Sequence, residues 1–145
     1  MRILLQHGAL VDLANVMGTT PLMAAASMGV RDVDFGSNRS PSFATDEAIE
    51  DKVMESVGIL LAAGADINAR VTDTESRTAR IARPSGFTNR TGQTALFRVA
   101  EQGWPRVAAY MLENGADPAL TDALGRSATD AALGRLTSEI GRAHV

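Results

Sequence analysis

Short apolar runs that each end shortly before a glycine recur along this chain. Three of them are alike: Ile3-Leu4-Leu5 before Gly8, Ile59-Leu60-Leu61 before Gly64, and Tyr110-Met111-Leu112 before Gly115. Upstream of the middle run, Ile49, Val53 and Val57 continue the helical spacing. The pattern predicts helices that end at a glycine, which takes up a left-handed C-terminal cap without steric penalty.

A second landmark follows these runs and marks where further helices begin. It occurs three times: Gly18-Thr19-Thr20-Pro21-Leu22, Gly92-Gln93-Thr94-Ala95-Leu96 and Gly125-Arg126-Ser127-Ala128-Thr129. Thr20 and Thr94 stand where a hydroxyl can cap a helix, and Pro21 fits the first helical position, where no backbone N–H is needed. Gly8 to Gly18 and Gly115 to Gly125 are both ten positions apart. The two landmarks therefore alternate as parts of one repeated helix–turn–helix unit.

These residues resemble the ankyrin repeat, and the resemblance runs from Ile3 to about Ala132. It implies an all-α solenoid of helix–turn–helix units with β-hairpin or loop fingers. The family's histidine, which ties neighbouring loops together, is replaced here by Met23, Phe97 and Asp130. Packing is expected to substitute for the polar tie at the first two, and Asp130 resembles a terminal capping repeat whose polar face meets water.

The landmarks divide the chain into a repeat domain and a tail. The domain, 1–138, comprises a partial repeat 1–17, a repeat 18–91 with two insertions, a repeat 92–124 and a partial capping repeat 125–138. Residues 139–145 read like a translated sequencing adapter, and we interpret them as a non-native tail. Since at least three repeats are generally needed for a continuous core, we expect a marginally stable piece of a longer chain.

Both insertions lie in the second repeat. The first adds 23 residues around 31–52: a turn-rich loop, then Thr45 as the cap of a helix from about Asp46 to Ala63. The second adds 18 residues within 70–90, where an elongated β-hairpin and a loose loop fit equally well.

Composition limits the class of partner. The net charge is -3, so overall charge does not favour nucleic acid or an anionic membrane. The chain lacks cysteine, and no apolar run reaches the ~20 residues that cross a bilayer. We expect a monomer that needs no cofactor and binds a still unidentified protein, with nucleic acid disfavoured.

The second insertion concentrates positive charge. It holds Arg70, Arg77, Arg80, Arg83 and Arg90 against Asp73 and Glu75. A solvated finger and a contact with a partner's carboxylates or phosphates both fit, whereas nucleic-acid readers usually add stacking aromatics and only Phe87 is present. The candidate anion-contacting residues are Arg77, Arg80 and Arg83.

Other chemistry fits poorly. Asp32-Val33-Asp34 begins like a calcium loop, but Ser37 and Phe43 stand where glycine and a bidentate glutamate belong. Outside the tail His7 is the only histidine, and no nucleophile motif accompanies it. We therefore expect no catalytic activity and no metal. Trp104 can be an interface anchor or a packing residue, and packing is favoured.

In ankyrin repeats, partners contact the finger tips and the exposed face of each first helix. The resemblance implies that these contact positions are Val16, Met17, Thr19, Ser27, Met28, Arg90, Thr91, Gln93, Glu101, Gln102, Ala123, Leu124 and Arg126. Exposed Val16, Met17 and Met28 would form a small apolar patch. The expected function is protein binding or scaffolding; the alternative is a regulatory or targeting domain of a longer enzyme.

Overall fold

A computed structural model describes residues 1–26, 46–73, 76–82 and 89–133. The described part is mostly helical: α1 (Arg2–Gln6), α2 (Pro21–Ala25), α3 (Asp46–Ala62), α4 (Arg77–Ala82), α5 (Ala95–Gln102), α6 (Pro105–Glu113) and α7 (Ala128–Ala132). Within these residues there is no strand, and one isolated antiparallel bridge joins Thr121 to Ser127. The all-α expectation is confirmed for these residues.

The helices form two rows. Helix α5 packs against both α2 and α7, so the three lie side by side, and α3 packs against α6 in the second row. The rows are joined because α2 packs on α3 and α5 on α6. Between them lies the apolar core, whose most buried large members include Leu22, Met23, Leu60, Phe97 and Met111.

Several helix ends agree with the sequence. Helix α3 spans Asp46–Ala62, within one residue of the predicted 46–63. The Thr20 hydroxyl accepts from the Met23 amide at 3.3 Å, with Pro21 in the first turn. Gly64 and Gly115 take positive φ values of 94° and 96°. These signals are local, so the sequence alone was enough to find them.

The same closure ends three helices. The amide of the alanine after each glycine donates to the carbonyl five residues earlier: Ala9 to Leu4, Ala65 to Leu60 and Ala116 to Met111, each at 3.0 Å. This bond is the long bond of a glycine-terminated helix cap, which satisfies an otherwise unpaired carbonyl. The three apolar runs therefore end in one geometry.

Three expectations about individual residues need correction. The Thr94 hydroxyl makes no capping bond; the Phe97 amide donates to the Thr94 carbonyl instead, at 3.2 Å. Asp130 does not simply face water, because its carboxylate accepts from the Ser127 amide at 2.9 Å in a capping box of α7. The inserted segment 70–90 is neither hairpin nor loop over Arg77–Ala82, which is helical.

Met23, Phe97 and Trp104 are all buried in the core. For the first two this confirms the expected packing. For Trp104 it agrees with the packing interpretation, since the indole is covered by its own protein.

Candidate partner-binding surface

Three loop tips share one turn geometry. The side-chain oxygen of Asn15, Asn89 or Asp122, three residues before Gly18, Gly92 or Gly125 respectively, accepts the amide two residues further on. The distances are 2.9 Å to Met17, 3.0 Å to Thr91 and 2.9 Å to Leu124. Such Asx turns fix the backbone of a loop without help from a sheet. Each tip is thus held by its own sequence.

The first tip is joined through its backbone to Thr72, at the start of the inserted segment, and the second tip is joined to the third. The Thr72 amide donates to the Met17 carbonyl and the Ala123 amide to the Thr91 carbonyl, both at 2.9 Å. Met17 and Thr91 each precede a glycine, and a Cβ on that glycine would lie 2.7 Å from the Thr72 nitrogen at Gly18 and 2.8 Å from the Ala123 nitrogen at Gly92. Glycine is required there because the next tip approaches so closely. Val71, next to Thr72, exchanges backbone hydrogen bonds with Gln93 at 2.9 Å and Gly92 at 2.7 Å, so the three tips form one continuous edge.

The structure exposes some of the predicted contact positions on this edge. Val16 is 59% exposed and Leu124 is 62% exposed, and Ala123 is exposed as well. A further group is half-buried and still reaches the surface: Thr19, Thr91, Glu101, Gln102 and Arg126. Ser27 and Met28 lie outside the described residues. We call the accessible set Val16, Thr19, Thr91, Ala123, Leu124 and Arg126 the tip edge.

Three predicted contact positions are buried, so their predicted exposure is wrong. Met17 is only 4% exposed, and the expected apolar patch loses it because this side chain turns into the protein beneath its tip. Arg90 and Gln93 are 1% and 0% exposed. Long polar side chains are rarely buried unless they are paired, and both of these have partners.

Arg90 belongs to a buried ion cluster. Its Nη1 donates to Glu101 Oε2 at 3.0 Å, and Arg98 Nη1 donates to the same oxygen at 3.1 Å. Arg90 also donates to the side-chain oxygen of Gln93 at 3.2 Å. Since Arg90 lies at the end of the inserted segment and Glu101 in the last turn of α5, the cluster attaches the end of that segment to α5.

A second cluster extends from Gln93 into the last tip. Gln93 Nε2 donates to Asp122 Oδ2 at 3.2 Å, and the same oxygen receives Arg126 at 2.7 Å. Burial alone would raise the pKa of Asp122, but hydrogen bonds from Arg126 and Gln93 outweigh it and lower that pKa below its ordinary value. Arg126 also donates to the Asn89 carbonyl at 3.0 Å. One charged network therefore spans two tips.

The inserted segment contains α4. The Asp73 carboxylate accepts the Ser76 amide at 2.9 Å, and the Ser76 hydroxyl accepts the Ala79 amide at 3.2 Å. Ala79 is fully buried, whereas Arg77, Arg80 and Ile81 are exposed. Arg83, the third predicted anion-contacting residue, lies outside the described residues.

Sequence reasoning missed Ile81 on this surface. It is 79% exposed, more than any other large apolar side chain in the described ranges. The available signal was an isolated isoleucine among arginines, which does not by itself predict a helix.

The segment from Asp32 to Phe43, which begins like a calcium loop but lacks its glycine and glutamate, lies outside the described residues. In the part of the chain that the structure describes, no three metal-ligating side chains come together, and no helix is both long and apolar enough to cross a membrane. A scan for protein families and a search of curated proteins found no match for this chain.

Proposed function

We propose that the chain is an ankyrin-type repeat solenoid that binds a partner protein through its tip edge and the neighbouring face of the first helices. The observation that carries this proposal is that the same hydrogen bonds recur between successive units. We call Gly8, Gly64 and Gly115, each of which ends a helix, the closing glycines, and the bonds recur at fixed positions after them. A single-core bundle has no reason to repeat them, whereas a solenoid makes each unit contact only its neighbours.

The clearest of these recurring hydrogen bonds is accepted by the side chain four residues after a closing glycine. Asp12, four after Gly8, accepts the Asp66 amide at 3.0 Å. Asn68, four after Gly64, accepts the Asp117 amide at 2.9 Å. Both amides belong to the residue two positions after the next closing glycine. The bonds from Thr72 to Met17 and from Ala123 to Thr91 also recur, because each donor lies eight positions after Gly64 or Gly115 and each acceptor directly precedes Gly18 or Gly92.

The surface chemistry of the tip edge favours a protein as the partner. The tip edge combines the exposed side chains of Val16 and Leu124 with the half-buried residues Thr19 and Thr91. Arg126 is half-buried there as well, and its guanidinium is already bonded to Asp122 and the Asn89 carbonyl. Apolar side chains with a few hydrogen-bonding groups around them are typical of protein interfaces. Repeat proteins bind through such extended surfaces rather than through an enclosed pocket.

The proposal is tested with matched leucine substitutions. Leu124 lies on the tip edge and Leu112 on α6 in the other row, and both are exposed. The full chain, Leu124→Glu and Leu112→Glu serve as baits in an extract of the encoding organism, and bound proteins are quantified by mass spectrometry. We expect a protein that the full chain and Leu112→Glu retain and that Leu124→Glu loses about tenfold, or about 1.4 kcal/mol.

Two outcomes contradict the proposal. One is an identical set of proteins on all three baits. The other is a partner that Leu112→Glu loses as completely as Leu124→Glu does. Circular dichroism of both variants shows whether the helices are retained, so that a loss of binding is not mistaken for a loss of fold.

A further inference from the structure

The exposed face of α4 carries two arginines and one apolar side chain. Arg80 and Ile81 follow Arg77 by three and four positions, so the three residues lie on one face of the helix. Ala79 between them is fully buried and faces the protein. The helix thus presents a cationic surface with an apolar side chain in it, which we call the α4 face.

The segment that carries this face is attached to the body on both sides. On the outgoing side, the amides of Thr72 and Asp73 donate to the Met17 carbonyl at 2.9 and 3.2 Å. On the returning side, Arg126 donates to the Asn89 carbonyl at 3.0 Å and Arg90 is buried against Glu101. The Ser76 amide also donates to Asp73 at 2.9 Å, so the start of α4 is tied to this attachment and loses less conformational entropy on binding than a free loop does.

We propose that the α4 face binds an acidic peptide segment of a partner protein, one that carries a bulky apolar side chain beside its carboxylates. This inference rests on the proposed protein-binding function and names the chemistry of one partner element. Guanidinium groups match carboxylates because they donate two parallel hydrogen bonds. Ile81 selects the apolar side chain, since an isoleucine this exposed loses water contact only when a partner covers it.

The charges of the chain agree with this partner. Residues 70–90 hold five arginines against two acidic side chains, and four of the arginines remain once Arg90, buried against Glu101, is set aside; the whole chain has a net charge of -3. The remainder is therefore acidic, and an acidic peptide is repelled from it and attracted to the inserted segment. Such complementarity steers a partner to one side of a protein.

The test uses the full chain and short fluorescein-labelled peptides followed by fluorescence anisotropy. The probe peptide contains glutamates and leucines; one comparison peptide replaces the leucines by serine, and another replaces the glutamates by lysine. The variants are Arg77→Glu/Arg80→Glu and Ile81→Ser. The matched control is Arg2→Glu/Lys52→Glu, which makes the same charge change on exposed residues of α1 and α3.

We expect Arg77→Glu/Arg80→Glu to raise the Kd of the probe peptide about tenfold and Ile81→Ser to raise it about threefold, with little change in the control. The serine peptide should bind more weakly than the probe, and the lysine peptide should not bind. Raising the salt concentration should weaken binding severalfold, because exposed ion pairs are screened.

The inference is overturned if the control weakens binding as much as the arginine variant does, or if leucine and serine peptides bind alike. Binding of duplex DNA or phosphatidylserine vesicles through Arg77 and Arg80, without binding of the probe peptide, would also overturn it and identify a general polyanion surface. A partner that depends on Leu124 but not on Arg77 or Arg80 would refute this inference and leave the proposed function intact.

Discussion

The carboxylate of Glu50 on α3 accepts the backbone amide of Arg106 at 2.7 Å and so caps the first turn of α6, a different helix. The Val107 amide donates to the same oxygen at 3.3 Å. The Arg106 side chain returns the contact through Nε to Glu50 at 3.3 Å and donates to Asp51 at 2.7 Å. Because Glu50 lies near the start of α3, the first part of that helix stabilises the start of α6.

The first prediction concerns this cap. Glu50→Ala should lower the free energy of unfolding by about 2 kcal/mol, since it leaves amides at the start of α6 without their acceptor. Glu50→Gln keeps one acceptor oxygen and should lower it by about half as much. Urea unfolding followed by circular dichroism measures both. Glu55→Ala is the control: Glu55 is exposed, its pair with Arg2 is 3.6 Å long, and its loss should matter little. Equal effects of Glu50→Ala and Glu55→Ala would contradict the capping role.

The second prediction concerns the ties between units. Asn68 accepts the Asp117 amide and donates to the Gly115 carbonyl at 3.0 Å, so Asn68→Ala should lower the free energy of unfolding by about 1 kcal/mol. Asn68→Asp should also destabilise, because a carboxylate oxygen then faces that carbonyl. Asp12→Asn keeps an oxygen for the Asp66 amide and should be nearly neutral. If Asn68→Ala unfolds at the same midpoint temperature as the unmodified chain, the hydrogen bonds of Asn68 do not stabilise the fold.

Local signals explain what the sequence could predict. Thr20 and Pro21 lie next to the helix that they start, and the apolar spacing of α3 lies within α3 itself. Gly64 and Gly115 close helices through bonds that reach back only five residues. Such features depend on neighbouring residues in the chain, so a short stretch of sequence is enough to predict them.

Contacts between residues that are far apart in the sequence explain what the sequence could not predict. Buried Gln93 donates a hydrogen bond to Asp122, twenty-nine positions away. Buried Glu50 accepts the amides of Arg106 and Val107, which lie fifty-six and fifty-seven positions away. Sequence spacing cannot reveal such pairs without the fold. Helix α4 was missed for a related reason: its six residues are too few to be stable alone, and the burial of Ala79 helps to hold them.

The third prediction concerns acid. The pKa of Asp122 is lower in the folded chain than its ordinary value of 3.8, so the ionised carboxylate stabilises the fold above that pH. This stability is lost as the pH falls through the folded value. Asp122→Asn should lower the free energy of unfolding by about 2 kcal/mol at neutral pH, and the gap to the parent should shrink below about pH 4. Urea unfolding at a series of pH values measures the gap. Glu113→Gln, an exposed carboxyl substitution, should show no such trend; a gap for Asp122→Asn that stays constant down to pH 3 would refute the assignment.

The last prediction separates backbone strain from crowding between tips. Gly92 and Gly64 have similar positive φ values, 85° and 94°, so alanine at either position should lower the free energy of unfolding by about 1 kcal/mol through strain alone. A Cβ at Gly64 meets no atom within 4 Å, whereas one at Gly92 would lie 2.8 Å from the Ala123 nitrogen. Gly92→Ala must therefore also push the third tip away and break the bond from Ala123 to Thr91. This should increase its loss of unfolding free energy by a further ~1–2 kcal/mol.

Chemical unfolding gives both free energies, and hydrogen exchange of the Ala123 amide should accelerate in Gly92→Ala alone. If the two variants lose equal stability and the Ala123 amide stays protected in both, the tips do not depend on close approach at Gly92.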